Sequence, residues 1–144
     1  MVSEKIRPIA ICLCRNGGRI LVAEGYDSIK NQVFYRPLGG TIEFYERGEE
    51  TVRREFLEEI GATVTDVRYL GTLESIFVCE GRRGHEIVLV YDGKLTDQSL
   101  YQKDMIVGNE LGVKFEAFWK GQDEFGDCKP PVYPDGLLDL LVKV

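Results

Sequence analysis

The chain has 144 residues, 44 per cent of them apolar and 29 per cent charged, with a formal charge of −6. That length and balance fit one domain, residues 1–144, with a substantial core of its own. The acidic balance excludes passive binding to nucleic acid or to an anionic membrane surface, which needs a basic footprint, but leaves phosphorylated small molecules open, because bound cations reverse the sign of a site.

Glu4, Lys5 and Arg7 near the N-terminus do not read as a secretion signal, and the longest early apolar run, Ile9 to Cys14, is too short to span a membrane. Cys12 and Cys14 sit in that strand-like run, Cys79 and Cys128 are isolated, and His85 is the single histidine. With no Cys-x-x-Cys pair, zinc is disfavoured. Reduced, mostly buried thiols in a cytoplasmic protein are expected.

Ile6 to Cys14 is expected to be a strand, joined through Asn16-Gly17-Gly18 to a hairpin partner over Arg19 to Glu24. Asp27 to Asn31 reads as loop and Gln32 to Arg36 as a short strand ended by Pro37; Leu38-Gly39-Gly40 then forms a loop that allows close backbone approach. Gly48 to Ile60 reads as a helix, with Gly48 as N-cap, Glu49 and Glu50 in the first turn and Gly61 as the stop. Val64 to Leu70 and Thr72 to Val78 read as two strands, or as one bent around Gly71, followed by a basic turn over Gly81-Arg82-Arg83-Gly84. His85 to Tyr91 is the clearest strand, apolar enough for burial on both faces. Lys94 to Leu111 is polar and poorly periodic, as expected of a segment lying over a site. Val113 to Trp119 is a further strand with Phe115, Ala117 and Trp119 on one face, and Pro134 opens a short helix with Leu137, Leu138 and Leu141 as its packing stripe. This order fits a central mixed sheet with a helix on each side, an α/β (α+β) arrangement.

Within the long helix, Val52, Phe56 and Ile60 form an apolar stripe, and Glu55, Glu58 and Glu59 occupy a neighbouring arc of about 100°. Like charges one turn apart repel by about 0.2–0.5 kcal/mol per pair, and a hard divalent cation removes that repulsion. A solvated acidic face partly neutralised by Arg53 and Arg54 is the plain alternative.

The wider stretch from Gly40 to Ala62 contains Gly40, Glu46, Arg54-Glu55-Phe56, Glu58-Glu59 and Gly61-Ala62 at fixed spacings. It resembles the signature of the Nudix hydrolases (MutT-like), Gly-x5-Glu-x7-Arg-Glu-U-x-Glu-Glu-x-Gly-U with U apolar. Every fixed position is matched. The lead-in Pro37-Leu38-Gly39-Gly40 departs from the family's commoner Pro-Gly-Gly. The resemblance implies an α/β/α sandwich and a divalent-metal-dependent hydrolase. Its substrate would be a nucleoside diphosphate linked to another moiety, such as ADP-ribose, a dinucleoside polyphosphate or a nucleotide sugar, or a nucleoside triphosphate. It implies Mg²⁺, with Mn²⁺ as a substitute, held by Glu55, Glu58, Glu59 and the carbonyl of Gly39, and a supporting pair between Glu46 and Arg54. Family members take the general base from a helix glutamate or from a later loop, where Glu110 is the candidate and Glu116 and Glu86 are substitutes. Arg36, Arg82 and Arg83 are candidates for gripping phosphates, and Tyr45, with Tyr35, Phe44, Phe77 and Tyr101, for stacking on a base; surface charge or core packing is the alternative for each. The partner is then a small nucleotide rather than nucleic acid or membrane, with a homodimer left open. A Nudix-like sensing module that binds nucleotide without hydrolysis is the rival reading.

Overall fold

The computed structural model describes residues 4–142. β1 (Ile6–Asn16) is buried on both faces through its centre and lies between β4 (Gly39–Thr41) and β6 (Arg82–Leu95), antiparallel to the first and parallel to the second. Ile9, Ile11 and Leu13 point one way, Ala10, Cys12 and Cys14 the other, as a two-residue period dictates. β5 (Val64–Cys79) completes this leaf as an edge strand antiparallel to β6. It is one strand, with register shifts on both sides of Arg68 and Tyr69 that bend it near Gly71.

The second leaf is antiparallel. β2 (Arg19–Asp27) pairs with β3 (Gln32–Pro37) on one side and β8 (Val113–Gly121) on the other, and β7 (Met105–Glu110) pairs with β8 at the edge. β1 and β2 pair with each other only at Arg15–Ile20 and Asn16–Arg19. Beyond those two pairs each strand has its own neighbours, and the eight-stranded mixed sheet divides into two leaves.

α1 (Gly48–Ile60) covers one face, burying Val52 and Phe56 against Ala10, Cys12, Cys14, Leu38 and Tyr91. Full burial of such a side chain stabilises by about 1.5–3 kcal/mol. On the other face Leu137, at the start of α2 (Leu137–Val142), packs with Ile9, Ile11, Leu13, Val88 and Val90. The expected fold class is thus observed. Val88 and Val90 on one side of β6, with Leu89 and Tyr91 on the other, carry the expected two-faced burial.

Two local expectations are corrected. The N-cap is Arg47, not Gly48: its backbone is extended and its N–H donates to the Glu50 carboxylate at 3.0 Å. Gly48 is required for another reason, since a Cβ there would lie 2.2 Å from the Tyr91 hydroxyl. Lys94 to Leu111 is not one irregular segment but continues β6, then forms a 3-10 turn (Gln98–Gln102) and β7. β7 turns only Ile106 and Gly108 inward, which left its apolar alternation faint. Cys12 and Cys14 are buried, Cys79 is half-buried and Cys128 is exposed, all four as free thiols.

Three phenylalanines share one geometry. Phe34, Phe77 and Phe115 stand directly across from Gly25, Gly84 and Gly108 in their ladders. A methyl group on those glycines would fall 2.5, 2.3 and 2.2 Å from a ring atom. Each ring therefore lies on bare backbone of the partner strand.

Gly39 is the position where backbone strain decides most. Its φ is 157°, and a Cβ would lie 2.0 Å from the Ala10 carbonyl oxygen. Gly39→Ala is expected to cost about 3 kcal/mol or more by parting β4 from β1. Denaturant unfolding measures this, and an unchanged midpoint would contradict the tight β1–β4 contact.

Candidate active site

Arg54, midway along α1, organises the neighbourhood. Its Nε and Nη2 donate to the two oxygens of Glu46 at 2.8 and 3.0 Å, a bidentate pair that joins the β4–α1 loop to the helix. Nη2 also donates to the Thr41 carbonyl at 3.1 Å, and Nη1 donates to Glu55 at 2.8 Å and Glu58 at 3.4 Å. Glu46 accepts further bonds from the Thr51 hydroxyl at 2.6 Å and the Glu43 N–H at 3.2 Å. These donors, Arg54 first, hold the Glu46 carboxyl down to about 2 against partial burial, and Arg54 is correspondingly raised. The Glu46–Arg54 pair expected from the resemblance is present, and its anchors at Thr41 and Thr51 were not expected.

A cleft of about 940 Å³ opens between the two leaves and the exposed flank of α1. It brings together Gly39, Glu55, Glu58, Glu59, Arg54, Arg36 and Glu110 from four elements, β3, β4, α1 and β7, with Arg7 of β1, Glu24 of β2 and Phe115 of β8 completing the walls. Leu38, the residue that interrupts the commoner family lead-in, is buried in the core, and its carbonyl accepts from the Cys12 N–H at 3.1 Å. Several expected residues do not line the cleft, among them Arg82, Arg83, Tyr45, Tyr35, Phe77 and Tyr101. Arg82 is exposed at the far end of the β5–β6 hairpin, paired in register with Cys79. Tyr45 is 97 per cent exposed on the β4–α1 loop and does not line the cleft. His85 lies within β6 opposite Ile6 and Ile76, also outside the cleft.

The three helix carboxylates are not equivalent. Glu59 is about 60° around the helix from Phe56, Glu55 about 100° and Glu58 about 160°. Glu59 is accordingly buried, Glu55 partly buried and Glu58 exposed. Burial, with the Glu55 carboxylate bonded beside it and the Glu110 charge adding to it, pushes Glu59 up to about 9, while Arg36 opposes the shift. Its Oε1 is buried without a hydrogen-bond partner among the described residues. A Cβ on Gly40 would lie 2.5 Å from the Glu55 carboxyl carbon, so the missing side chain leaves room for that group.

An orphaned carboxylate oxygen among hard oxygen donors fits a divalent cation such as Mg²⁺ or Mn²⁺. Among the described residues no group of three acidic, histidine or cysteine side chains is already gathered on one point, since Arg54 engages Glu55 and Glu58. Holding an ion would require Glu58 to turn from the guanidinium toward Glu55 and Glu59, which already adjoin.

The depressed Glu46 carboxyl makes acid stability a direct test. Its contribution is fully present above the ordinary value of 4.5 and is lost as pH falls toward about 2. Glu46→Gln is expected to lower stability at pH 7 by about 1.5–3 kcal/mol and to flatten the loss of stability between those limits. Unfolding free energies measured from pH 7 to pH 2.5 check both, and an unaltered acid profile would remove Glu46 from this role.

The profile of the NUDIX domain matches residues 5–127. The NAD-capped RNA hydrolase NudC of Mycobacterium tuberculosis is 41 per cent identical over 68 residues, which are 47 per cent of this chain and 21 per cent of that protein. The chain therefore matches about a fifth of the length of these curated relatives. The MutT NUDIX hydrolase of Burkholderia pseudomallei superposes with a TM-score of 0.66 over 96 per cent of this chain and 98 per cent of that one, at 20 per cent identity. A UDP-X diphosphatase gives 0.67 over 99 per cent of this chain and 64 per cent of that one, at 14 per cent identity. With the domain profile matched across most of its length and the fold shared with MutT proteins, the chain belongs to the Nudix hydrolase family.

Proposed function

We propose that this protein is a divalent-cation-dependent pyrophosphohydrolase acting on a nucleoside diphosphate linked to another moiety. The observation that carries the reading is the buried, unpartnered Glu59 oxygen beside Glu55 in an open cleft that also holds Arg36. Two of the similar proteins are by name an NAD-capped RNA hydrolase and a UDP-X diphosphatase, which supports the substrate class. No helix among the described residues is long and apolar enough to cross a membrane. The cytoplasm is the proposed compartment.

Glu55, Glu58 and Glu59, with the Gly39 carbonyl, would hold Mg²⁺, or Mn²⁺ in its place. When bound, the ion neutralises phosphate charge and lowers the pKa of coordinated water. Arg54 keeps Glu46 and the β4–α1 loop fixed to the helix that carries the three carboxylates, so their relative positions do not drift. Arg36, on the β3 wall, orients a phosphate oxygen by a charge-assisted hydrogen bond. Glu110, exposed at the end of β7 on the same cleft, takes the proton of the attacking water.

The direct test is a panel of ADP-ribose, NADH, dinucleoside polyphosphates, nucleotide sugars and nucleoside triphosphates, with Mg²⁺ or Mn²⁺, assayed for phosphate-bearing products. Turnover of at least one compound is expected. Binding without turnover across the panel would instead favour the sensing module. Glu58→Gln should reduce kcat/KM by about a hundredfold or more with an unchanged thermal melt, and near-normal activity would remove Glu58 from the ligand set. Glu110→Gln should lower kcat by about 10²–10⁴-fold and leave KM nearly unchanged; a change confined to KM would assign Glu110 to binding.

A further inference from the structure

A second, much smaller recess lies beside the cleft, about 70 Å³ against the cleft's 940 Å³. Phe34 and Arg36 line both, so the two spaces adjoin along β3. The other walls include Ser75 and Phe77 of β5, Glu86 of β6 and Tyr133. Phe34 and Phe77 are two of the rings laid on cross-strand glycines, and Phe34 also packs on Tyr133 with ring centroids 5.8 Å apart. The recess is therefore aromatic and its rings are held in place.

Its polar groups are unusual for such surroundings. Glu86 is 5 per cent exposed, and its ionic partner among the described residues is Arg7, at 3.5 Å from an exposed position on β1. Ser75 stands directly across the ladder from Glu86 and is equally buried. Neither side chain makes a hydrogen bond to another described residue. Neither carries a fully buried oxygen without a partner, as Glu59 does, so both present their polar atoms to the recess they line, where a ligand that bonds to them gains affinity and selectivity together.

We propose that this recess receives the base of the nucleotide, and that Glu86 with Ser75 selects a guanine-type edge. The proposal rests on the nucleotide-hydrolase reading and names its substrate class. Two carboxylate oxygens match two adjacent N–H donors, which guanine presents at N1 and N2, and the Ser75 hydroxyl donates to the neighbouring O6. Hypoxanthine lacks the second donor. Adenine and cytosine set a ring-nitrogen acceptor beside their amine, and uracil flanks one N–H with two carbonyls, so each faces the carboxylate with a repelling lone pair. The aromatic rings offer a face to any base and do not discriminate. Arg36, on the shared wall, receives the first phosphate where the recess meets the cleft.

The test uses the full chain without added metal, so that binding is read in the absence of turnover. GMP, IMP, AMP and UMP are titrated by calorimetry into the wild-type protein and Glu86→Gln. GMP is expected to bind at least about tenfold more tightly than the other three, and Glu86→Gln to reduce that ratio to about threefold or less. Equal affinities in the wild type, or an undiminished ratio in the variant, would overturn the assignment. Should Glu86→Gln fail to fold, as judged by its thermal melt, Ser75→Ala is read instead. Loss of GMP affinity with UMP affinity retained supports the proposal, and unchanged GMP affinity overturns it. A guanine preference without hydrolysis of any panel compound would defeat the enzymatic reading alone, whereas hydrolysis indifferent to the base would defeat only this one.

Discussion

The guanidinium of Arg54 is the constraint on which the site depends. It binds one carboxylate of the preceding loop through two parallel bonds, reaches the Thr41 carbonyl at the end of β4, and touches two carboxylates of its own helix. A lysine, with a single ammonium, could not make these planar, divergent contacts at once. The same group also offsets the repulsion among acidic neighbours that would otherwise burden α1. Glu43, Glu46, Glu55 and Glu58 all lie within 3.5 Å of it.

The cleft itself follows from how the strands are shared out. β1 is fully engaged by β4 and β6, and β2 by β3 and β8, so their common hairpin cannot zip beyond its first pairs. The two leaves diverge from that point. β4 is three residues long, yet it sets the loop between β3 and α1 against the middle of β1, where Gly39 rests on the Ala10 carbonyl. The tight backbone contact and the Arg54 network act on opposite ends of one loop.

Much of this was legible in the sequence. The helix and its stop, the β1–β2 hairpin, the bent β5 and the doubly buried β6 all follow from apolar periodicity and turn residues. The carboxylate pattern with its fixed glycines led to the right family. Other features were hidden for physical reasons. β7 is an edge strand whose alternation is carried by Ile106 and Gly108, and a glycine contributes no apolar signal. Gly48 looks like a cap because its packing against Tyr91 is a contact between residues distant in sequence. The unequal burial of Glu55, Glu58 and Glu59 follows from helical phase relative to Phe56 and could have been worked out beforehand. Arg82 and Tyr45 had suitable chemistry, but only the topology shows that they are elsewhere. Glu86 carried a usable signal, an acidic residue inside an otherwise apolar strand, that pointed to a buried carboxylate.

The phenylalanines seated on glycines bear on how this surface can change. Phe34 and Phe115 wall the cleft, and Phe34 and Phe77 wall the recess, so three rings on three separate hairpins set the outline that a ligand meets. Each ring's seat is set by strand alignment, with Tyr133 packing on Phe34 as well. One added carbon at Gly25, Gly84 or Gly108 would lift a ring and reshape that outline without altering any residue that carries charge. Ligand preference can thus drift through silent-looking positions on the opposite strand while the hydrolytic apparatus is inherited intact.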